Sequence, residues 1–222
     1  MKHKCGEEVG LYVGRLLLVG AAKSGGLVAA YRLASRSFPN RKIQLNTETK
    51  TARVVPLPGH ETENRENPLL TYTCLRVFNN ASALVANGSH LDIIYGKMRL
   101  GLSPAESMAQ VLRALGPERD VYKTPRIAGF ASPKELIVGI VSERDPVIRV
   151  FPVKPGFACY VATYGRTQPM ENVLEDFDVK SAEEATEMVH QGLVFRSFTQ
   201  AISSVAAFIK NQVVEVNVYP GA

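Results

Sequence analysis

Apolar runs separated by short polar turns set the pattern of this chain. Leu11 to Ala22 is the most apolar run, broken by Arg15, and it predicts a buried strand. Lys23-Ser24-Gly25-Gly26 predicts a turn, and Leu27 to Ser37 a strand that pairs back on the first. Pro39-Asn40 ends that strand, because proline removes a ladder donor. The polar stretch from Leu57 to Pro68 reads as an exposed loop. Thr71 to Phe78 and Ala81 to Ala86 predict a second hairpin, turning at Asn79-Asn80.

Helical signals are sharper. Ser103-Pro104-Ala105-Glu106 combines an N-cap, a proline at the first helical position and a glutamate three residues after the cap. Met108, Val111, Leu112 and Leu115 follow at helical spacing, and Gly116-Pro117 stops them. Ser181-Ala182-Glu183-Glu184 repeats the cap, with Ala185, Met188, Val189 and Gly192 on one face. Leu91 to Leu100 predicts a further short helix. Strands are expected at Arg126 to Ser132, Leu136 to Ser142, Val147 to Val153 and Ala158 to Thr163. A last pair, Ala201 to Ile209 and Val213 to Tyr219, turns at Lys210-Asn211. About nine strands and three or four helices imply an α+β chain. Two stacked sheets with helices outside would bury both kinds of apolar face.

Composition narrows the function. A chain of 222 residues, 45% hydrophobic, buries one sizeable core, so residues 1–222 are expected to form one domain. The net charge is +5, unevenly spread. From Val9 to Thr47 there is no acid, while Arg15, Lys23, Arg32, Arg36, Arg41 and Lys42 all fall there. Between Glu171 and Glu187 seven acids face one base, Lys180. A basic segment facing an anionic ligand, with an acidic solvated face elsewhere, follows from that asymmetry. Cys5, Cys74 and Cys159 give no even disulfide framework and no metal spacing, so a reducing cytosol is the simplest setting. The apolar run is well short of the ~20 residues a membrane span needs. Absence of tryptophan and few aromatics argue against nucleic acid as the partner. The apolar strand ends are open to pairing between subunits, so a homo-oligomer stays an alternative.

Candidate chemistry gathers in four places. Tyr31 to Arg41 is the densest polar cluster in an otherwise apolar strand; alternation puts Arg32, Ala34, Arg36 and Phe38 on one face. Two arginines two apart suit a phosphate or carboxylate, and a solvated strand face is the plain alternative. Asp120 to Ile127 offers Lys123, Thr124 and Arg126 around the rigid Pro125, or is simply a charged helix-to-strand connection. Asn87 to Asp92 offers Asn87 and His90 to a polar ligand edge, or a helix cap at Ser89 or His90. Tyr72 and Cys74 share a strand face, where packing is the commoner role. No P-loop, Gly-rich dinucleotide turn or histidine pair for a metal is present. Cys5 as an exposed N-terminal nucleophile would require loss of Met1 to Lys4.

These strings together resemble a known family. Tyr12-Val13-Gly14-Arg15, Ala30-Tyr31-Arg32, Ser35-Arg36-Ser37-Phe38-Pro39-Asn40-Arg41, Thr71-Tyr72-Thr73-Cys74, Asn87-Gly88-Ser89-His90 and Tyr122-Lys123-Thr124-Pro125-Arg126-Ile127 look like the archaeal-type inosine monophosphate cyclohydrolases. The likeness runs from about Tyr12 towards the C-terminus and is densest before Ile127. Residues 1 to 11 depart from it. The resemblance implies a four-layer αββα sandwich similar to the N-terminal-nucleophile hydrolases, without their nucleophile. It implies dehydrative ring closure of formylated aminoimidazole carboxamide ribonucleotide to inosine monophosphate, with no cofactor and no metal. The implied partner is that small phosphorylated purine precursor, with neither nucleic acid nor membrane. A non-catalytic purine-nucleotide-binding protein is the rival reading. Under the resemblance Tyr72, Lys123 and Arg36 are the expected catalytic groups. Arg32, Ser35, Ser37, Phe38, Asn40, Arg41, Cys74, Asn87, His90, Thr124 and Arg126 are the expected substrate contacts.

Overall fold

A computed structural model describes residues 10–61, 70–143 and 145–220. The expectation of a loop at Leu57 to Pro68 is therefore open beyond Glu61, and the Cys5 reading lies outside the described residues.

Two hairpins open the chain. Strands β1 (Leu16–Ala21) and β2 (Leu27–Ala34) join through Gly25 and Gly26, both at positive φ. A side chain at Gly26 would also enter the Phe208 ring, so the turn needs glycine for its backbone and for its neighbour. Strands β3 (Arg41–Asn46) and β4 (Thr51–Pro56) follow, then β5 (Tyr72–Phe78) and β6 (Ser82–Ala86). Helices α1 (His90–Arg99) and α2 (Pro104–Leu115) come next. Then come β7 (Arg126–Ala131), β8 (Leu136–Val141), β9 (Val147–Phe151), β10 (Phe157–Ala162) and the short β11 (Val173–Leu174). Helix α3 (Ala182–Gln191), β12 (Ala201–Lys210) and β13 (Val213–Pro220) complete the order.

The strands form two antiparallel sheets. The first runs β11-β10-β1-β2-β12-β13 and the second β3-β4-β5-β6-β7-β8-β9. Alternation decides what each face meets. In β2, Ala29, Tyr31 and Leu33 enter the core between the sheets, with Leu17, Val85, Ile127 and Val138. Val28 and Ala30 face the other way, towards Val189, Phe195 and Phe198 beneath α3. On the second sheet Leu84, Phe130 and Ile137 meet Leu91, Ile94, Met108 and Val111 of α1 and α2. Both central hairpin strands are buried along their whole length because each face has a cover. The result is an α+β sandwich of two antiparallel sheets with helices on the outer faces.

The caps behave as their chemistry requires. Ser103 Oγ accepts from Glu106 N at 3.2 Å, and Ser181 Oγ from Glu184 N at 3.1 Å. At α1, by contrast, Ser89 supplies no side-chain cap. Two strands of the second sheet, β3 and β4, were not among those expected, although Ile43-Gln44-Leu45 alternates and Arg41 and Ile43 point inward. Arginine and lysine at the start of β3 outweigh the alternation in the sequence, whereas in the fold Arg41 is buried. The second difference moves a functional residue. Strand β2 stops at Ala34, not Ser37. Ser35 Oγ accepts Phe38 N at 3.1 Å and turns the chain ahead of Pro39.

Candidate active site

Where β1 begins and β2 ends, a cavity of about 670 Å³ opens at the edge of the sandwich. Its size lies within the range of small-molecule sites. Ser35, Arg36, Ser37 and Phe38 line one side, from the turn after β2. Tyr12 and Arg15 come from the segment leading into β1. Asp120, Tyr122 and Thr124 come from the loop before β7, and Tyr164 from the loop after β10. Four segments far apart in sequence therefore meet at one mouth.

The wall is held by a network. Arg36 lies over the Tyr12 ring, 4.0 Å from its centroid, and Tyr12 stacks on Tyr164 at 6.0 Å. Gly14, at φ 67°, leaves the room Tyr164 occupies, since a side chain there would strike that ring. Thr124 Oγ1 donates to Asp120 Oδ2 at 2.6 Å, and Thr124 N donates to Asp120 Oδ1 at 2.8 Å. With its one proton committed, Thr124 Oγ1 accepts from Tyr164 OH at 2.8 Å. The site thus presents two guanidiniums, several aromatic faces and the side chains of Ser37 and Tyr122 on an ordered frame.

Behind Arg15 lies a tyrosine pair. Tyr31 OH and Tyr72 OH are 2.7 Å apart between the sheets. Burial raises both phenols, Tyr31 well above the ordinary value. Tyr72 is drawn back by Arg41, Arg15 and the Tyr31 hydroxyl, so Tyr72 is the member better able to carry negative charge. Arg15 itself is opposed by burial, yet Tyr72, Tyr31, Tyr164 and Tyr12 together leave it above its ordinary value.

The expected contacts divide. Ser35, Arg36, Ser37, Phe38 and Thr124 come together in the cavity. Lys123 lies between two lining residues, exposed and at φ 46°, while its own side chain is not part of the lining. Arg41 is buried, donating to Phe38 O at 3.1 Å and Leu70 O at 3.4 Å, and lines a neighbouring groove that shares Ser35. Asn40 pairs with His60 Nδ1 at 3.2 Å. Cys74 is in the core, its Sγ donating to Ala52 O, and burial pushes its thiol far up.

Four expected contacts turn elsewhere. Arg32 occupies the face of β2 opposite Tyr31 and donates to Phe198 O at 2.6 Å, so it makes no fork with Arg36. Asn87 spends both ends of its amide on the backbone, accepting Ile127 N at 2.8 Å and donating to Pro125 O at 2.9 Å. His90 Nε2 donates to Ile127 O at 3.0 Å in a buried position. Arg126 does not present its guanidinium to a ligand from the loop; it turns inward, to Gly116 O at 3.0 Å and Glu118 Oε1 at 2.7 Å. Asn87, His90 and Arg126 hold the β6–α1 and α2–β7 connections together.

Two measurements follow from that second group. Burial drives Glu118 up, and Arg126 offsets part of the rise. Arg126→Met leaves an unpaired buried carboxyl and is expected to cost roughly 3–5 kcal/mol in denaturant unfolding, most of it recovered in Arg126→Met/Glu118→Met. A single variant as stable as the parent would refute the pairing. His90 is held down to about 4, first by burial. Its folded value lies below the unfolded ~6.5, so the unfolded chain binds the extra proton between those values. Stability from this group is complete above pH ~6.5 and falls by about 3 kcal/mol as pH drops to ~4. His90→Gln, which keeps a donor, should flatten the fall of Tm between pH 7 and 4 relative to the parent; parallel profiles would count against it.

Sequence reasoning passed over Arg15, Tyr12, Tyr122, Asp120 and Tyr164 as site residues. The first three stand inside strings that carry the resemblance. Tyr164 lies after Val153, where no local motif marks it. Among the described residues, no group of three or more His, Cys, Asp or Glu is placed to hold a metal, and no helix is long and apolar enough to cross a membrane.

Comparison with known proteins converges on one family. A model of the IMP cyclohydrolase-like proteins matches residues 12–213. The chain belongs to the IMP cyclohydrolase family. A protein of Methanosphaera stadtmanae named IMP cyclohydrolase is 39% identical over 203 residues, 91% of this chain and 96% of that one. One of Methanothrix thermoacetophila is 35% identical over 211 residues, 94% and 98% of the two chains. One of Methanocaldococcus jannaschii is 32% identical over 206 residues, 93% and 98%. The family match covers all four segments that line the cavity, except Gly10 and Leu11.

Proposed function

We propose that this protein is an IMP cyclohydrolase that closes the ring of formylated aminoimidazole carboxamide ribonucleotide with loss of water. The observation that carries the reading is near full-length likeness to proteins of that name, in a chain with a cavity of about 670 Å³, lined by aromatic and cationic side chains, of a size that suits one mononucleotide. In the reaction the carboxamide nitrogen bonds to the formyl carbon and gives up one proton. The formyl oxygen becomes a hydroxyl, takes a second proton and leaves as water. The formamide nitrogen loses its proton as the new C=N bond forms.

That sequence needs the two ends held together, an orientation effect of up to ~7–11 kcal/mol. It also needs a donor at the developing oxyanion and a path for protons. Arg36 and Ser37 seat the 5′-phosphate, with exposed Lys123 as a further cation at the rim. Tyr12, Phe38 and Tyr164 flank the base. Arg15 and Tyr72 face the reacting oxygen, and Tyr31 supports Tyr72 from behind. Asp120 and Thr124 act through Tyr164, holding its ring in place. The sandwich resembles the N-terminal-nucleophile hydrolases in its layers, and residues 1–222 are taken as one domain in the cytoplasm.

Purified protein incubated with the formylated ribonucleotide should form inosine monophosphate, followed by ultraviolet absorbance. No turnover, combined with saturable binding of inosine monophosphate, would replace the enzyme with a nucleotide-binding protein. Neither turnover nor binding would end both readings.

A further inference from the structure

Arg15 reaches the cavity without a side-chain anchor. Among the described residues its guanidinium makes no hydrogen bond or ion pair. Tyr72, Tyr31, Tyr164 and Tyr12 lie close enough to act on its charge, but none of them holds it. Its direction must therefore come from its own backbone. That backbone is a weak guide by itself. Gly14 precedes Arg15 at φ 67°, and a glycine lets the following peptide rotate at little cost.

One hydroxyl removes that freedom. Strand β1 begins at Leu16, opposite Ala162 of β10. One step earlier Thr163 N donates to Arg15 O at 2.9 Å, as in an ordinary antiparallel ladder. The return bond is different. Arg15 N donates to Thr163 Oγ1 at 3.1 Å, where the ladder would use the Thr163 carbonyl. The same hydroxyl gives its single proton to Val13 O at 3.3 Å, which also accepts from Tyr164 N at 3.1 Å. Thr163 Oγ1 thus bridges the peptide groups on both sides of Gly14. Thr163 is buried, and a side chain at Gly14 would strike both Thr163 Oγ1 and the Tyr164 ring. Glycine and threonine fit this place as a pair.

We propose that Thr163 is the positioning residue for Arg15: its hydroxyl fixes the peptides around Gly14 and so aims the guanidinium into the cavity. Without the hydroxyl, Arg15 N–H is left unpaired in a buried place. It then turns to the Thr163 carbonyl, its ordinary ladder partner. The Gly14–Arg15 peptide rotates with it and carries the side chain away from Tyr31 and Tyr72. Thr163 stands behind the lining of the cavity and acts only through Arg15. What Arg15 does for turnover rests on the ring-closing reading; how it is held does not.

Thr163→Val keeps the shape of the side chain and removes the hydroxyl. Its kcat is expected to fall about 10²-fold, the effect of a misplacement near 1 Å, with KM within a few-fold. Thr163→Ser keeps the hydroxyl and should turn over like the parent. In an Arg15→Met background, assayed at high enzyme concentration, Thr163→Val should lower kcat little further. Residues that act as one unit are non-additive, whereas a general loss of structure would lower kcat in both backgrounds. Crystal structures of the parent and Thr163→Val should show the guanidinium displaced in the variant. Parent-like kcat in Thr163→Val, additive losses in the double variant, or an Arg15 that stays in place would each overturn the proposal. If Thr163→Val does not fold, a Thr163→Ser enzyme with poor turnover would do so too. A parent without turnover sinks the ring-closing reading alone, and the pair of crystal structures then decides how Arg15 is held.

Discussion

Tyr72→Phe is expected to lower kcat by about 10²–10³-fold while KM stays within a few-fold, the loss that follows removal of one donor to a developing oxyanion. The direction rests on the tyrosine pair. Tyr72 hydrogen-bonds Tyr31 at 2.7 Å, and Arg15 and Arg41 both favour its anionic form. Its hydroxyl is therefore the group between the sheets best prepared to pass or share a proton. The phenyl ring keeps the packing, so the effect is read in turnover. Tyr31 loses its buried partner and stability drops by roughly 1–3 kcal/mol. Single-turnover assays below the melting transition separate the two. Unchanged turnover would remove Tyr72 from the chemistry.

Arg36→Ala is expected to act on the other parameter. Arg36 is exposed, stacked on Tyr12 at 4.0 Å, and makes no ion pair among the described residues. A guanidinium so placed is ready to bind an anion without first breaking a salt bridge. Charge-assisted hydrogen bonds contribute ~1.5–3 kcal/mol, so KM should rise by about 10–150-fold with kcat much less affected. The rise should shrink for a substrate analogue lacking the phosphate. If the analogue suffers equally, the phosphate lies elsewhere. Because the side chain is exposed, Tm should barely move.

The contrast between Arg32 and Arg36 explains how far the sequence could be read. Both lie in one basic string, and strand alternation puts them side by side. Alternation holds only while the strand lasts, and it ends at Ala34. Beyond that point Ser35 turns the backbone and Arg36 reaches the cavity, while Arg32 stays under α3. Asn87, His90 and Arg126 teach the same lesson. A polar residue at a strand end can serve a ligand or the backbone of its own connection, and spacing does not tell which. Here each finds a backbone group in the neighbouring segment. Tyr164 had no local signal at all, because its value comes from lying against Tyr12, 152 positions away.

The sequence by itself determined the α+β class, both capped helices, most strands and the family, since these rest on periodicity, capping chemistry and contiguous strings. It also singled out the string from Ser35 to Phe38, although as part of a strand; in the fold that string is a turn and forms one wall of the cavity. Tertiary structure alone decided which cations share that wall, which are locked into connections, and which is sealed beneath a helix. Those outcomes depend on where strands stop and on contacts between residues distant in the chain. Neither is encoded in the spacing of neighbours.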